Sequence, residues 1–195
     1  MPFLIDDVDF SDLLKKPSTN KQAAKSFLAK YPRDYAIEGF DVPLGFKLVS
    51  AKSEKSIRLI DIRDRAEPRI VYAVDIILTG EIINNRFCTQ VMVWASPSNE
   101  DLLIGLPRKV FNHFLERYII VVSDDEQTAD GKRFWERRIS NAFADNNHVY
   151  YIENERPREI LSVDDFFENF ESIGWGKSEA HKERLFAISK IQLIY

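Results

Sequence analysis

The chain has 195 residues, with 27 Lys and Arg against 31 Asp and Glu and a formal net charge of −4. That length buries one sizeable core, and no apolar run approaches the roughly 20 residues that a membrane-spanning helix needs. The acidic balance disfavours sequence-independent attachment to nucleic acid, which relies on Lys and Arg neutralising phosphates, and a single cysteine, Cys88, excludes an internal disulfide.

The opening stretch, MPFLIDDVDFSDLL, carries acids and no basic residue ahead of its apolar positions, unlike a secretory signal. Together with the lone cysteine this points to a reducing, cytoplasmic setting. Residues 1–45 read as an irregular lead-in with one helix around Asn20 to Tyr31. There Ala23, Ala24, Phe27 and Leu28 recur at helical spacing, and Pro32 and Pro43 punctuate the end. Residues 46–195 read as a single domain with a C-terminal helical extension.

Strand-like runs follow at Phe46–Ser50 with Ile57–Ile62, at Arg69–Leu78 and at Arg86–Trp94, joined by short polar loops as in an antiparallel meander. In the second run Ile70, Tyr72, Val74 and Ile76 alternate, which predicts one core face and one half-covered face. After Pro97 the period changes. Leu106, Val110, Phe111, Phe114 and Leu115 form one stripe of a helix over Leu106–Tyr118, with Pro107 at its first turn.

Tyr118–Val122 is a short strand apolar on both faces, and Ser123-Asp124-Asp125 ends it abruptly. Ligands of open α/β sheets gather at such strand ends, so a site is sought there first. A helix over Asp130–Ala144 leads to a strand at His148–Glu153. Val163–Ile173 predicts an acidic helix with Phe166, Phe167 and Phe170 on its apolar side, stopped by Gly174. Lys177–Ser189 predicts a further helix and Lys190–Tyr195 an extended end. The expected fold class is α+β: a mixed, mainly antiparallel central sheet with helices on both faces.

Other chemistries find little support in the residues. His113, His148 and His181 fall in different elements without the short spacing of a zinc site. Cys88 reads as a small buried strand residue. Asp124, Asp125 and Glu126 suit a Mg²⁺ ion or an acidic turn, with Thr128 or Asp130 as caps of the following helix, and capping is the commoner use. Asp61, Asp75 and Glu81 lie in or near strands, as nuclease carboxylates do, in a generic spacing. Lys132-Arg133 with Arg137-Arg138 reads as a solvated helix face, and Tyr150 and Tyr151 as residues split between core and surface.

The order of elements resembles the Gcn5-related N-acetyltransferase (GNAT) fold from about Phe46 to Glu153. In that family a meander is followed by a strand, a glycine-rich turn and a helix that hold the pyrophosphate of acetyl coenzyme A. Val91-Met92-Val93 followed by Pro97 resembles the strand ahead of the turn, and Phe134-Trp135-Glu136-Arg137 occupies the place of a family run in the next helix. The phosphate turn departs from the pattern of an Arg or Gln, two residues, Gly, any residue, then Gly or Ala. Over Leu102-Leu103-Ile104-Gly105-Leu106-Pro107 only Gly105 survives, and Pro107 removes an N–H donor from the helix start. Trp135 stands where the family often has an acid tyrosine, and an indole N–H does not titrate usefully.

Two readings follow from the resemblance. In the first, an acyl-coenzyme-A-dependent N-acetyltransferase acts on an amine, with Trp94, Ser96, Ile104, Gly105, Leu106, Arg108, Lys109 and Trp135 against acetyl coenzyme A. By location the proton donors on offer are Ser123, Asp124 and Tyr72, none of them marked by a motif. In the second, the fold is kept and the chemistry lost, and the sheet serves as a scaffold for a protein partner. Degenerate proteins of that kind occur among phages and mobile elements, so a structural or regulatory role there is what the resemblance implies.

Overall fold

The computed structural model describes residues 3–5, 12–122, 126–154, 156–175 and 184–194. The chain divides into two compact units, one of Val8–Ile77 with Val91–His113, the other of Met1–Asp7, Leu78–Gln90 and Phe114–Tyr195. The fold is α+β, with a mixed, mainly antiparallel sheet.

In the first unit, helices α1 (Asp12–Lys15) and α2 (Pro17–Leu28) precede strands β2 (Arg33–Asp34), β3 (Phe46–Ser50), β4 (Ser56–Asp61) and the start of β5 (Arg69–Ile83). Strands β2 to β5 pair in chain order, all antiparallel. Helix α2 starts earlier than its apolar spacing predicts because Pro17 fits a first helical position. The β4–β5 register pairs Leu59 with Tyr72 and Ile60 with Ile70, so Val71 bulges out of the ladder.

Alternation assigns the two faces. Leu48, Leu59 and Tyr72 stand opposite one another on one face, and Val49 and Ala73 share the other with Ile60 and Ile70. Both sets are buried, and further along β5 the second face opens, with Asp75 partly buried and Ile77 exposed, so that face is half-covered as its alternation predicts. Ala24, with Phe27 and Leu28 beside it, packs on Val49, Ile60, Ile70 and Ala73, joined by Trp94 from β6 (Arg86–Ala95).

Strand β5 runs past the expected end at Leu78 to Ile83, and Asn84-Asn85 join it to β6 with φ of +49° and +61°. Asparagine tolerates that left-handed pair, which matches the twist of a two-residue hairpin. Helix α3 (Leu106–Leu115) lies in the first unit up to His113.

The second unit is built around β7 (Ile119–Val122), whose four residues are all buried, as an apolar strand without alternation requires. β6 and β7 pair in parallel through Cys88↔Ile119 and Thr89↔Ile120. After β7 come β8 (Glu126–Thr128), α4 (Ala129–Ala144), β9 (His148–Glu153) and β10 (Arg156–Ile160). Next are α5 (Val163–Asp165), a π turn at Phe166–Phe170, α6 (Glu171–Gly174) and β11 (Arg184–Ser189). Hydrogen bonding in this unit follows the order β6-β7-β11-β9-β10. A separate parallel pair joins β8 to β1 (Phe3–Ile5).

β11 corrects the second part of the helix predicted over Lys177–Ser189, whose first part, 177–183, lies outside the described residues. From Arg184 onward the chain is a strand inserted antiparallel between β7 and β9, pairing Phe186 with both Val122 and Tyr151. Leu185, Phe186, Ala187 and Ile188 form a short apolar run, and such a run fits a buried strand as readily as a helix. The predicted helix over Val163–Ile173 is present as three pieces. Its start is capped reciprocally: Ser162 Oγ accepts the Asp165 N–H at 3.0 Å, and Asp165 Oδ2 accepts the Leu161 N–H at 2.9 Å. Within it the Glu171 N–H reaches back to the Phe166 carbonyl, an i→i+5 bond.

One face of the second unit joins Cys88, Ile119, Val121, Tyr150, Ile152, Ala187 and Leu193. The other is aromatic. Phe186 lies 5.0 Å from Trp175, 5.4 Å from Phe166 and 5.8 Å from Tyr151 by ring centroids. Tyr150 and Tyr151 are thus both buried, rather than split between core and surface, because β10 and β11 flank β9 and both of its faces are covered. Cys88 is fully buried.

Candidate functional site

The turn from β6 to α3 holds most of the residues that sequence reasoning assigns to a cofactor. β6 ends at Ala95, and the Ser96 N–H donates to the carbonyl of the bulged Val71 at 2.9 Å. Two 3₁₀ turns follow, Pro97–Asn99 and Asp101–Leu103, tied by Asn99 N–H to Ser96 O and Leu103 N–H to Glu100 O, each at 3.0 Å. Leu103 is buried and Ile104 is 78% exposed. Gly105 adopts φ +76°, a left-handed conformation costly to any residue with a Cβ.

Helix α3 opens at that glycine, since the Lys109 N–H bonds the Gly105 carbonyl at 3.1 Å. A Cβ built on Gly105 would meet nothing within 4 Å, so the glycine answers the local φ and not a close approach of neighbouring atoms. Leu106 is fully buried, Pro107 contributes no N–H, and Arg108 and Lys109 are exposed. The Lys109 ammonium donates to the Gly39 carbonyl. Trp94 and Ser96 are half-buried, with Trp94 packed against the α2 side of the sheet.

The remaining site candidates do not gather at this turn. Tyr72 is 1% exposed, opposite Leu59 in the ladder. Trp135 belongs to the other unit, 2% exposed on α4, with its ring edge-on to Phe134 at 5.4 Å. Ser123 and Asp124 lie outside the described residues, as does the rest of the acidic turn at Asp125.

Two of the nuclease-like carboxylates, Asp61 and Asp75, are each held by an arginine. Asp61 takes the Arg63 Nε and Nη2 at 3.0 and 2.7 Å, and Asp75 takes the Arg58 Nη2 on both oxygens at 2.9 and 2.8 Å. The Arg63 side chain, which donates to it, holds the Asp61 carboxyl below its ordinary value of 3.8. The basic cluster on α4 is not a uniformly solvated face. Lys132 pairs with Glu171, lies 3.5 Å from Glu136 and sits 5.6 Å over the Trp175 ring. Arg138 is 7% exposed, 5.4 Å over Phe134.

Three polar constellations were not legible as pairs. The Tyr35 hydroxyl and His113 Nε2 are 2.7 Å apart although 78 positions separate them. His148 Nδ1 and Glu159 Oε1 are 2.6 Å apart across β9 and β10. Asn20, 6% exposed on α2, donates from Nδ2 to the Leu14 and Ile70 carbonyls at 2.9 and 3.0 Å and accepts the Ile70 N–H at 2.8 Å. Only Asn20 left a trace in the sequence, as a polar residue in line with Ala24 and Phe27 on the apolar side of its helix.

Among the described residues no group of three or more His, Cys, Asp and Glu is arranged to hold a metal ion, and no helix is long and apolar enough to cross a membrane. Comparison with protein-family models, with curated proteins and with solved structures finds no match.

Proposed function

We propose that the chain is a non-catalytic interaction module on a GNAT-like fold, acting through contact with a protein partner. The turn ahead of α3 carries this reading. A pyrophosphate cradle needs several backbone N–H groups turned outward at a helix start. Here a lone left-handed glycine stands between buried Leu103 and fully buried Leu106, and Pro107 follows. The side chains of Leu103 and Leu106 serve the core, and the nearby Lys109 ammonium is engaged by the Gly39 carbonyl. Trp135, in place of a titrating tyrosine, is a core residue of its unit.

A second reading, an acyl-coenzyme-A-dependent N-acetyltransferase acting on an amine, draws on the open space over Gly105 and on exposed Arg108 at the positive end of α3. Thermal unfolding with and without millimolar acetyl coenzyme A separates the two. The module reading expects an unchanged midpoint in a protein that melts cooperatively. A ligand present at about 100 times its dissociation constant adds roughly 2.7 kcal/mol, so an upward shift of several degrees would overturn the module and favour the transferase.

A further inference from the structure

We infer that β8 is a strand-acceptor edge, filled by the chain's own Phe3–Ile5 and open by exchange to an extended segment of a partner protein. The segment it fits is an apolar triplet like Phe3-Leu4-Ile5. This deepens the interaction-module reading and rests on it.

β7 ends at Val122, β8 occupies Glu126–Thr128, and α4 starts at Ala129, so β8 stands at the strand-to-helix switch where a binding site is first sought. Among the described residues its only strand partner is β1, and the two form a parallel sheet apart from the main one, in the register Phe3↔Glu126, Leu4↔Gln127 and Ile5↔Thr128. Among the described elements β1 packs to a comparable extent on no other.

Such a pair is close to balance. Each backbone hydrogen bond nets little, because it replaces one made to water, while ordering each residue costs as much or more. Parallel pairing is the weaker kind, and two strands without a third are marginal. A short ladder of this sort opens locally while the rest of the fold stays intact. Another strand can then add to the freed edge through the same main-chain bonds. The segment already on that edge, Phe3-Leu4-Ile5, is the template for the partner's sequence.

The test keeps the full chain and locks the pair. Leu4 and Gln127 are register partners, and neighbouring strands lie at a separation that a disulfide can bridge, so Leu4→Cys with Gln127→Cys gives a reversible latch. Cys88 is buried and stays out of the exchange. Fluorescence anisotropy follows a labelled peptide of residues 1–9 added to the oxidised and reduced protein, with mass analysis of the disulfide. The expected result is an intramolecular disulfide, binding to the reduced form, and affinity at least tenfold weaker after oxidation.

Equal binding to both forms, no binding to the reduced form, or a disulfide between chains would each overturn the acceptor edge. A melting shift with acetyl coenzyme A in the same reduced protein would remove the non-catalytic reading alone. The peptide result would still decide the edge, so the two failures are distinguishable.

Discussion

Asn20 does at the scale of one side chain what a neighbouring strand does for a ladder: it satisfies both the N–H and the carbonyl of Ile70, beside the bulge at Val71. Truncation to alanine leaves those groups buried without a partner, and an unmet buried polar group costs about 1–3 kcal/mol. Asn20→Ala is therefore expected to lower stability by about 3 kcal/mol. A urea midpoint within experimental error of wild type would refute the role.

Asp61 gives a pH prediction of definite sign. Its folded pKa is depressed, first by the hydrogen bond from Arg63, so its contribution is fully present above the ordinary value of 3.8 and is lost as pH falls through the folded value. Asp61→Asn should flatten the acid limb of the stability curve below about pH 4 and leave its shape near neutrality unchanged. Because Arg63 is well exposed, the effect should shrink in high salt. An acid limb identical to wild type in chemical-denaturation series would count against it.

Among elements, β11 shows how a local pattern misleads. Its apolar run has no periodicity that separates helix from strand, and the slot between β7 and β9 decides the matter. There Phe186 meets Trp175, Phe166 and Tyr151 at once, with the π turn supplying Phe166 and Phe170 from above the same face. Phe186→Ala should cost about 3–5 kcal/mol, the usual range for an aromatic removed from a close-packed core. The denaturant slope should stay near wild type, since the unfolded state exposes almost the same surface. A loss under about 1 kcal/mol would mean that the ring cluster is looser than it looks.

For the whole molecule, the chain's last strand is a central one in its unit. Ending the protein at residue 183 removes β11, which strips β7 and β9 of their shared partner and uncovers Cys88, Ile119, Val121 and Tyr150 on one face and the aromatic cluster on the other. Loss of cooperative unfolding, with near-ultraviolet circular dichroism from Trp175 gone, is the expected outcome. A truncated chain that still melts in one sharp transition at the wild-type midpoint would contradict this topology.

What the residues determined by themselves is local and periodic. The all-apolar run ending at Val122 fixed β7 as a strand buried on both faces, the stripe from Leu106 to Leu115 fixed α3, and His148–Glu153 is a strand over its full expected span. Pro107 marks in the sequence the one position at the start of α3 that has no backbone N–H. Tertiary structure alone decided the pairings that join distant positions: β11 between β7 and β9, Tyr35 with His113, His148 with Glu159, and the basic residues of α4 turned inward at Lys132 and Arg138. The physical reason is that periodicity reports which face of an element is apolar. Which element covers that face, and which polar groups it brings together, depends on burial shared between parts of the chain that no local window contains.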